Sequence, residues 1–164
     1  MIMENSKFAS KKILKAIFIA VIVLQVIAAL YFCEKKQGTH YDEKYSYYSS
    51  NVTNGLHPSD GEWMSGEDIR REFYVSDGYE FNYKMVNLMQ TYDVHPPLYY
   101  NVLHTVCSLT PGIYSKWQGL LVNIIFFVLS LIILGRIADM LGGKNPYITL
   151  ITVALFGFSP AIYS

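Results

Sequence analysis

Cysteine, proline and unbalanced charge are all scarce in this chain of 164 residues. Two cysteines, Cys33 and Cys107, cannot build the disulfide framework that staples small secreted domains. A bridge between them outside the cell is geometrically conceivable, but two buried or interfacial thiols are the simpler reading. Thirteen basic and thirteen acidic residues leave a formal net charge of +0. No basic stripe faces a soluble compartment, so nucleic acid is not an expected partner. There is no glycine-rich phosphate loop and no nucleophile elbow, which leaves nucleotide hydrolysis and serine hydrolase chemistry without support. His40, His57 and His104 lack ligand spacing, so no zinc site is expected. The sequon Asn51-Val52-Thr53 matters only in a secretory eukaryotic setting.

What the chain does have is long apolar runs. Hydrophobic residues make up 52% of it, a moderate share, and their distribution decides the class. From Ile13 to Phe32 only Lys15 and Gln25 interrupt an apolar stretch. At about 1.5 Å per residue such a helix covers the roughly 30 Å of bilayer hydrocarbon. A first transmembrane helix is therefore expected over 13–33. A second is expected over 117–135, with Lys116 and Trp117 at one edge and Arg136 at the other, as membrane interfaces favour. A third, somewhat short, covers 148–164. A cleavable signal peptide is the competing reading of the first run. The run exceeds the usual signal core of about 7 to 15 residues, and Leu30-Tyr31-Phe32-Cys33-Glu34 offers no small-residue cleavage site.

Orientation follows from the basic flanks, because cytoplasmic loops retain Lys and Arg. Lys7, Lys11, Lys12 and Lys15 precede or open the first run, which places 1–12 in the cytoplasm. Arg136 and Lys144 stand against Asp139 in a second cytoplasmic loop, 136–147. The stretch 34–116 is then extracytoplasmic and holds most of the acidic residues. The fold class expected is an all-α multi-pass membrane protein with a long first outer loop.

That loop is too long to be structureless. Ser65-Gly66-Glu67-Asp68 resembles a capping box that opens a short helix through Ile69 to Tyr74. Ser76-Asp77-Gly78 reads as a turn. Phe81, Met85, Leu88, Met89 and Tyr92 recur at helical spacing, predicting a helix over about 81–92 with that face packed. From Pro97 to Leu109 a second helix is expected, with Leu98, Val102, Val106 and Leu109 on its apolar face. Asn101, His104, Thr105 and Ser108 fall on the other face. At about 13 residues it is too short to cross a bilayer and should lie along the interface.

Two polar clusters stand out against this background. Asp93-Val94-His95-Pro96-Pro97-Leu98-Tyr99-Tyr100 opens the interfacial helix, and Tyr41-Asp42-Glu43-Lys44-Tyr45-Ser46 follows the first apolar run. Taken alone, Asp42 and Glu43 are ordinary solvated charges at a helix exit, His95 a residue that orients the helix after it, and Tyr45, Tyr47 and Tyr48 interfacial aromatics.

The order of these features resembles the multi-pass glycosyltransferases of the GT-C fold, especially the bacterial family 39 type that includes protein mannosyltransferases and aminoarabinose transferases. The residues that carry it are the basic start, one span, the Asp42-Glu43 pair, a long outer loop, Asp93-x-His95-Pro96-Pro97-Leu98-Tyr99-Tyr100, and a second span. Ser159-Pro160-Ala161-Ile162-Tyr163-Ser164 is similar to the outer end of the family's third span. The resemblance implies transfer of a sugar from a polyprenyl phosphate carrier to an acceptor at the outer membrane face. By position Asp42 corresponds to the catalytic base, and Glu43 to an orienting or metal-contacting neighbour, with room for a divalent cation at the pair. His95 corresponds to a group near the leaving phosphate, and Asp93 and Tyr99 to residues shaping the pocket. The implied partners are the lipid-linked donor, membrane lipid and an acceptor. Family members have many more spans, so the chain reads as the amino-terminal portion of such an enzyme, inactive alone. The reading from another class is a small non-enzymatic three-span membrane protein whose outer loop binds a partner or ligand. An end at Tyr163-Ser164, with no polar tail, weighs against it.

Overall fold

The computed structural model describes residues 2–52 and 63–159, with side chains from residue 12 onward. The described residues are helical, with no strand among them. The helices are α1 (Ile2–Lys35), α2 (Tyr41–Asn51), α3 (Gly66–Arg71), α4 (Tyr83–Gln90), α5 (Pro97–Ser108), α6 (Lys116–Leu141) and α7 (Pro146–Gly157). Two compact units result, one of residues 1–36 and 124–164, the other of residues 37–123.

In the first unit, Lys12–Lys35 of α1 and Lys116–Leu141 of α6, the latter beginning in the second unit, are long and apolar enough to cross a membrane. Only 11% and 17% of their apolar windows are buried, so neither is a helix swallowed by a soluble core. Ile19, Leu24, Ile27, Leu129 and Ile133 all face outward. Where α1 meets α7, Gln25 is fully buried and its Nε2 donates to the Val153 carbonyl at 3.0 Å. Gly157 lies directly against that amide, where a Cβ would displace it. The helix expected over 148–164 starts earlier, at Pro146 behind an Asn145 cap, and ends at Gly157. Residues 160–164, which hold most of the Ser159–Ser164 motif, lie outside the described residues, as do Thr53 of the sequon and His57. Both cysteines are free thiols.

The second unit is built around α5. Its core joins Tyr47, Val75, Leu103, Cys107 and Val122, with Phe73, Tyr99, Val102, Val106 and Tyr114 packed on it. The Tyr47 and Tyr114 rings meet edge to face, 4.9 Å between centroids. Capping sets the helix starts. His40 accepts from the Asp42 amide while Glu43 accepts from the His40 amide at 2.9 Å, which opens α2. Ser65 accepts from the Asp68 amide at 3.1 Å, as its sequence signature suggests, although α3 stops at Arg71. Ser115 and Gln118 open α6 in the same manner, Ser115 Oγ accepting from Trp117 and Gln118 Oε1 from Ser115.

Three expectations for this unit need correction. Helix α5 buries His104 and Ser108, which periodicity placed on the outward polar face, and leaves Leu98 and Leu109 exposed. The reason is that α5 is sandwiched by α2 and α4, so more than one stripe is covered. His104 Nδ1 stands 3.3 Å from Asn51 Oδ1, and Ser108 Oγ accepts from the Phe81 amide at 3.0 Å. Helix α4 buries Met89 as expected, together with Val86 and Gln90, whereas Leu88 within it is exposed, and Phe81 and Tyr92 are exposed because they lie beyond the helix ends, Phe81 with a left-handed φ of 54°. Tyr47 is a core residue at 3% exposure, not an interfacial aromatic.

Candidate functional site

Helix α2 sets the first side of the site. Asp42 and Ser46 share one helical row, and Glu43 and Tyr47 the next, since residues four apart stack on a helix face. Together with Tyr99 from α5 and Lys116 and Asn123 from α6 they line a cleft of about 240 Å³. Tyr47 fixes the distance between α2 and the start of α6. Its hydroxyl donates to the Ser115 carbonyl at 2.7 Å and accepts from the Gly119 amide at 2.6 Å.

The groups in the cleft differ in their freedom. The Asp42 side chain is 86% exposed, its Oδ2 3.4 Å from His40 Nδ1. Glu43 spends one carboxylate oxygen on the cap of α2. Burial pushes the Tyr99 hydroxyl above its ordinary pKa, and the Glu43 charge adds to the rise while a hydrogen bond with Asn123 opposes it. Tyr99 is therefore a neutral donor at physiological pH. Lys116 Nζ lies 5.7 Å from the Trp117 ring centroid. The cleft thus sets an accessible carboxylate, a neutral hydroxyl and an ammonium around one space, which suits an anionic ligand that must lose or gain a proton at one end.

Asp93 and His95 form a separate cluster and do not line this cleft. The Asp93 side chain is 10% exposed and both its oxygens lie 3.0 Å from His95 Nδ1. The Val94 amide donates to it at 2.7 Å and the Tyr100 hydroxyl at 3.4 Å. Burial pushes the Asp93 carboxyl up, but these hydrogen bonds outweigh it and hold the pKa below the usual value. Tyr99 and Tyr100, with ring centroids 5.9 Å apart, divide the two places between them, Tyr99 facing the cleft and Tyr100 the Asp93 cluster.

Of the residues singled out by sequence, Asp42, Glu43 and Tyr99 come together, and Asp93 and His95 pair elsewhere. Tyr47, Lys116, Asn123 and Tyr100 carried no site role in the sequence reading. The His40-x-x-Glu43 cap could have pointed to Tyr47, because it makes 41–51 a helix and so puts Tyr47 on the Glu43 row. Among the described residues no group of three or more His, Cys, Asp or Glu side chains could hold a metal ion. A cation at Asp42 and Glu43 would draw most of its six or more oxygens from water or ligand.

A second, more apolar pocket of about 260 Å³ lies between α2 and α3, lined by Tyr41, Tyr45, Tyr48, Ile69, Glu72 and Phe73 among others. Burial raises the Glu72 carboxyl, and burial with the Glu72 charge raises the Tyr48 hydroxyl to about 12.

No family model, curated protein or solved structure matches this chain.

Proposed function

We propose that the chain is a membrane-embedded amino-terminal portion of a GT-C glycosyltransferase of the family 39 type, inserted in the cell membrane as a multi-pass protein with 34–116 on the extracytoplasmic side. In this reading a sugar passes from a polyprenyl phosphate donor to an acceptor hydroxyl of a cell-envelope glycan, lipid or protein. The observation that supports it is the joint placement of Asp42, Glu43, Tyr99 and Lys116 around one cleft. The acceptor oxygen attacks the anomeric carbon and yields its proton to Asp42, while the bond from that carbon to the phosphate oxygen breaks with its electron pair on the phosphate. Lys116 and the neutral Tyr99 hydroxyl offer charge and a hydrogen bond to the departing phosphate. His95, already engaged by Asp93, is assigned to shaping the loop that starts α5 and no longer to the phosphate. The test is transfer of radiolabelled sugar from polyprenyl phosphate in membranes carrying the full-length protein. Transfer above the level of membranes without it is expected, and its absence across common donor sugars would remove the proposal.

The apolar pocket between α2 and α3 favours the second reading, a non-enzymatic membrane protein whose loop captures an aromatic or aliphatic ligand there. Loss of ligand or partner retention on Tyr45→Ala, with no transferase activity in the wild type, would select it.

A further inference from the structure

The first unit contains a cleft that the transferase reading does not use. It occupies about 680 Å³ and is bounded by α1, by the end of α6 and by the start of α7. Three cations from three segments line it, Lys15, Arg136 and Lys144, against one carboxylate, Asp139. All three cationic residues are exposed, and among the described residues no ion pair engages any of them. Asp139 is tied into the loop through its carbonyl, which accepts from the Lys144 amide at 2.9 Å. Thr149 also lines the cleft, and its Oγ is buried with no hydrogen-bond partner among the described residues. Helix α7 begins there, and its first turn adds the positive end of a helix dipole.

An excess of fixed positive charge that no ion pair among the described residues offsets, in a cleft of this size, calls for an anion. The rest of the lining says what the anion is attached to. Leu14, Phe18, Ile132 and Leu150 supply an apolar wall directly beside the charges, which a free inorganic ion would leave unused. A phosphodiester headgroup with an acyl chain satisfies both halves, since basic pockets between membrane helices bind acidic lipid headgroups. We propose that this cleft is a binding site for the phosphate of an anionic phospholipid, held by Lys15, Arg136 and Lys144 with the Thr149 hydroxyl as an added donor. The proposal rests on α1 and α6 being membrane helices and not on the transferase chemistry. The lipid lies in the leaflet that faces the basic flanks, and its headgroup ties α1, α6 and α7 together.

The experiment uses the full-length protein purified in detergent and titrated with phosphatidylglycerol or phosphatidylcholine, read by lipid retention in native mass spectrometry and by thermal unfolding. Wild-type protein should retain phosphatidylglycerol at least about tenfold more tightly than phosphatidylcholine, a difference of about 1.4 kcal/mol, and unfold at higher temperature with it. Arg136→Gln with Lys144→Gln should abolish the preference, and Arg136→Lys with Lys144→Arg should restore it. Lys15→Gln, at an exposed position, should weaken it without a folding defect. Equal retention of the two lipids by the wild type, or an unchanged preference in the Gln variants, overturns the proposal. Stabilisation by inorganic phosphate as large as by phosphatidylglycerol overturns the lipid assignment in favour of a free anion. Extraction of the chain from membranes by alkaline carbonate would instead overturn the membrane reading beneath it.

Discussion

The Tyr47 hydroxyl lies 2.6 Å from the Gly119 amide and accepts its hydrogen bond while donating to the Ser115 carbonyl. One side chain of α2 thereby satisfies two backbone groups at the start of α6, where the first amides have no partner within the helix. The cleft that holds Asp42 and Glu43 depends on this spacing. Tyr47→Phe should cost about 1–3 kcal/mol, since it leaves the buried Gly119 amide without its acceptor, whereas the Ser115 carbonyl keeps the Gln118 amide. Gly119→Ala should also destabilise, because its Cβ would sit 3.0 Å from the Tyr47 hydroxyl. Thermal unfolding in detergent checks both, and a Gly119→Ala protein as stable as wild type would mean that the helices are not held at this distance.

Among the outward-facing apolar residues of α1, Gln25 is the polar exception. Its amide donates to the Val153 carbonyl and packs on Gly157. Gln25→Leu should lose about 0.6–2 kcal/mol, the range for single hydrogen bonds between membrane helices. Gly157→Ala should cost a similar amount, because the new methyl group displaces the Gln25 amide from its site. Unfolding by a denaturing detergent gives both values. Equal stability of Gly157→Ala and wild type would contradict the packing of α1 on α7.

Stability should fall at both ends of the pH scale. On the alkaline side, burial first raises Tyr48 and Tyr100 to about 12 and Cys107 to about 11, from ordinary values of 10.0 and 9.0. Raised values mean that the folded state holds these protons more tightly. Their contribution is complete below about pH 9 and is lost as pH rises from there toward about 12. On the acid side, burial lowers His104 from 6.5, and hydrogen bonds outweigh burial to lower Asp93 from 3.8. Depressed values reverse the sign, so stability falls as pH drops below about 6.5 and again below about 4. A melting temperature that stays flat from about pH 5 to about pH 11 would contradict these environments.

Trp63 is fully exposed ahead of α3, and the orientation proposed from the basic flanks predicts that segment outside. Trp63→Cys, in a Cys33→Ala background, should react in intact cells with a membrane-impermeant maleimide, because the remaining Cys107 is fully buried and its thiol inert. Labelling only after cell lysis would reverse the orientation.

Much of this architecture was legible in the sequence, and the misses have identifiable causes. Helices α1 and α6 follow from the distribution of apolar residues along the chain, since a long apolar run has few other ways to fold. The Ser65 cap of α3 was visible because its signature is local. Helix α2 was not, because Tyr41–Asn51 has no apolar stripe and holds its shape through the His40-Glu43 cap and packing on α5. The burial of His104 was equally hidden, for periodicity finds one packed face and α5 has neighbours on more than one side. Proximity of Asp42 to Glu43 was given by adjacency, whereas the approach of Tyr99 and Lys116 is set by the Tyr47 contact and could not be read from spacing.

The transferase reading turns on Asp42, the exposed carboxylate of the cleft. The most direct measurement is the single-turnover rate of sugar transfer from a polyprenyl phosphate donor by the full-length Asp42→Asn protein, with membrane insertion and donor binding monitored alongside. A general base contributes about 10²–10⁴-fold, so the rate should fall by at least about a hundredfold with insertion and donor binding unchanged. A wild-type rate in Asp42→Asn would contradict the role assigned to this residue and with it the mechanism.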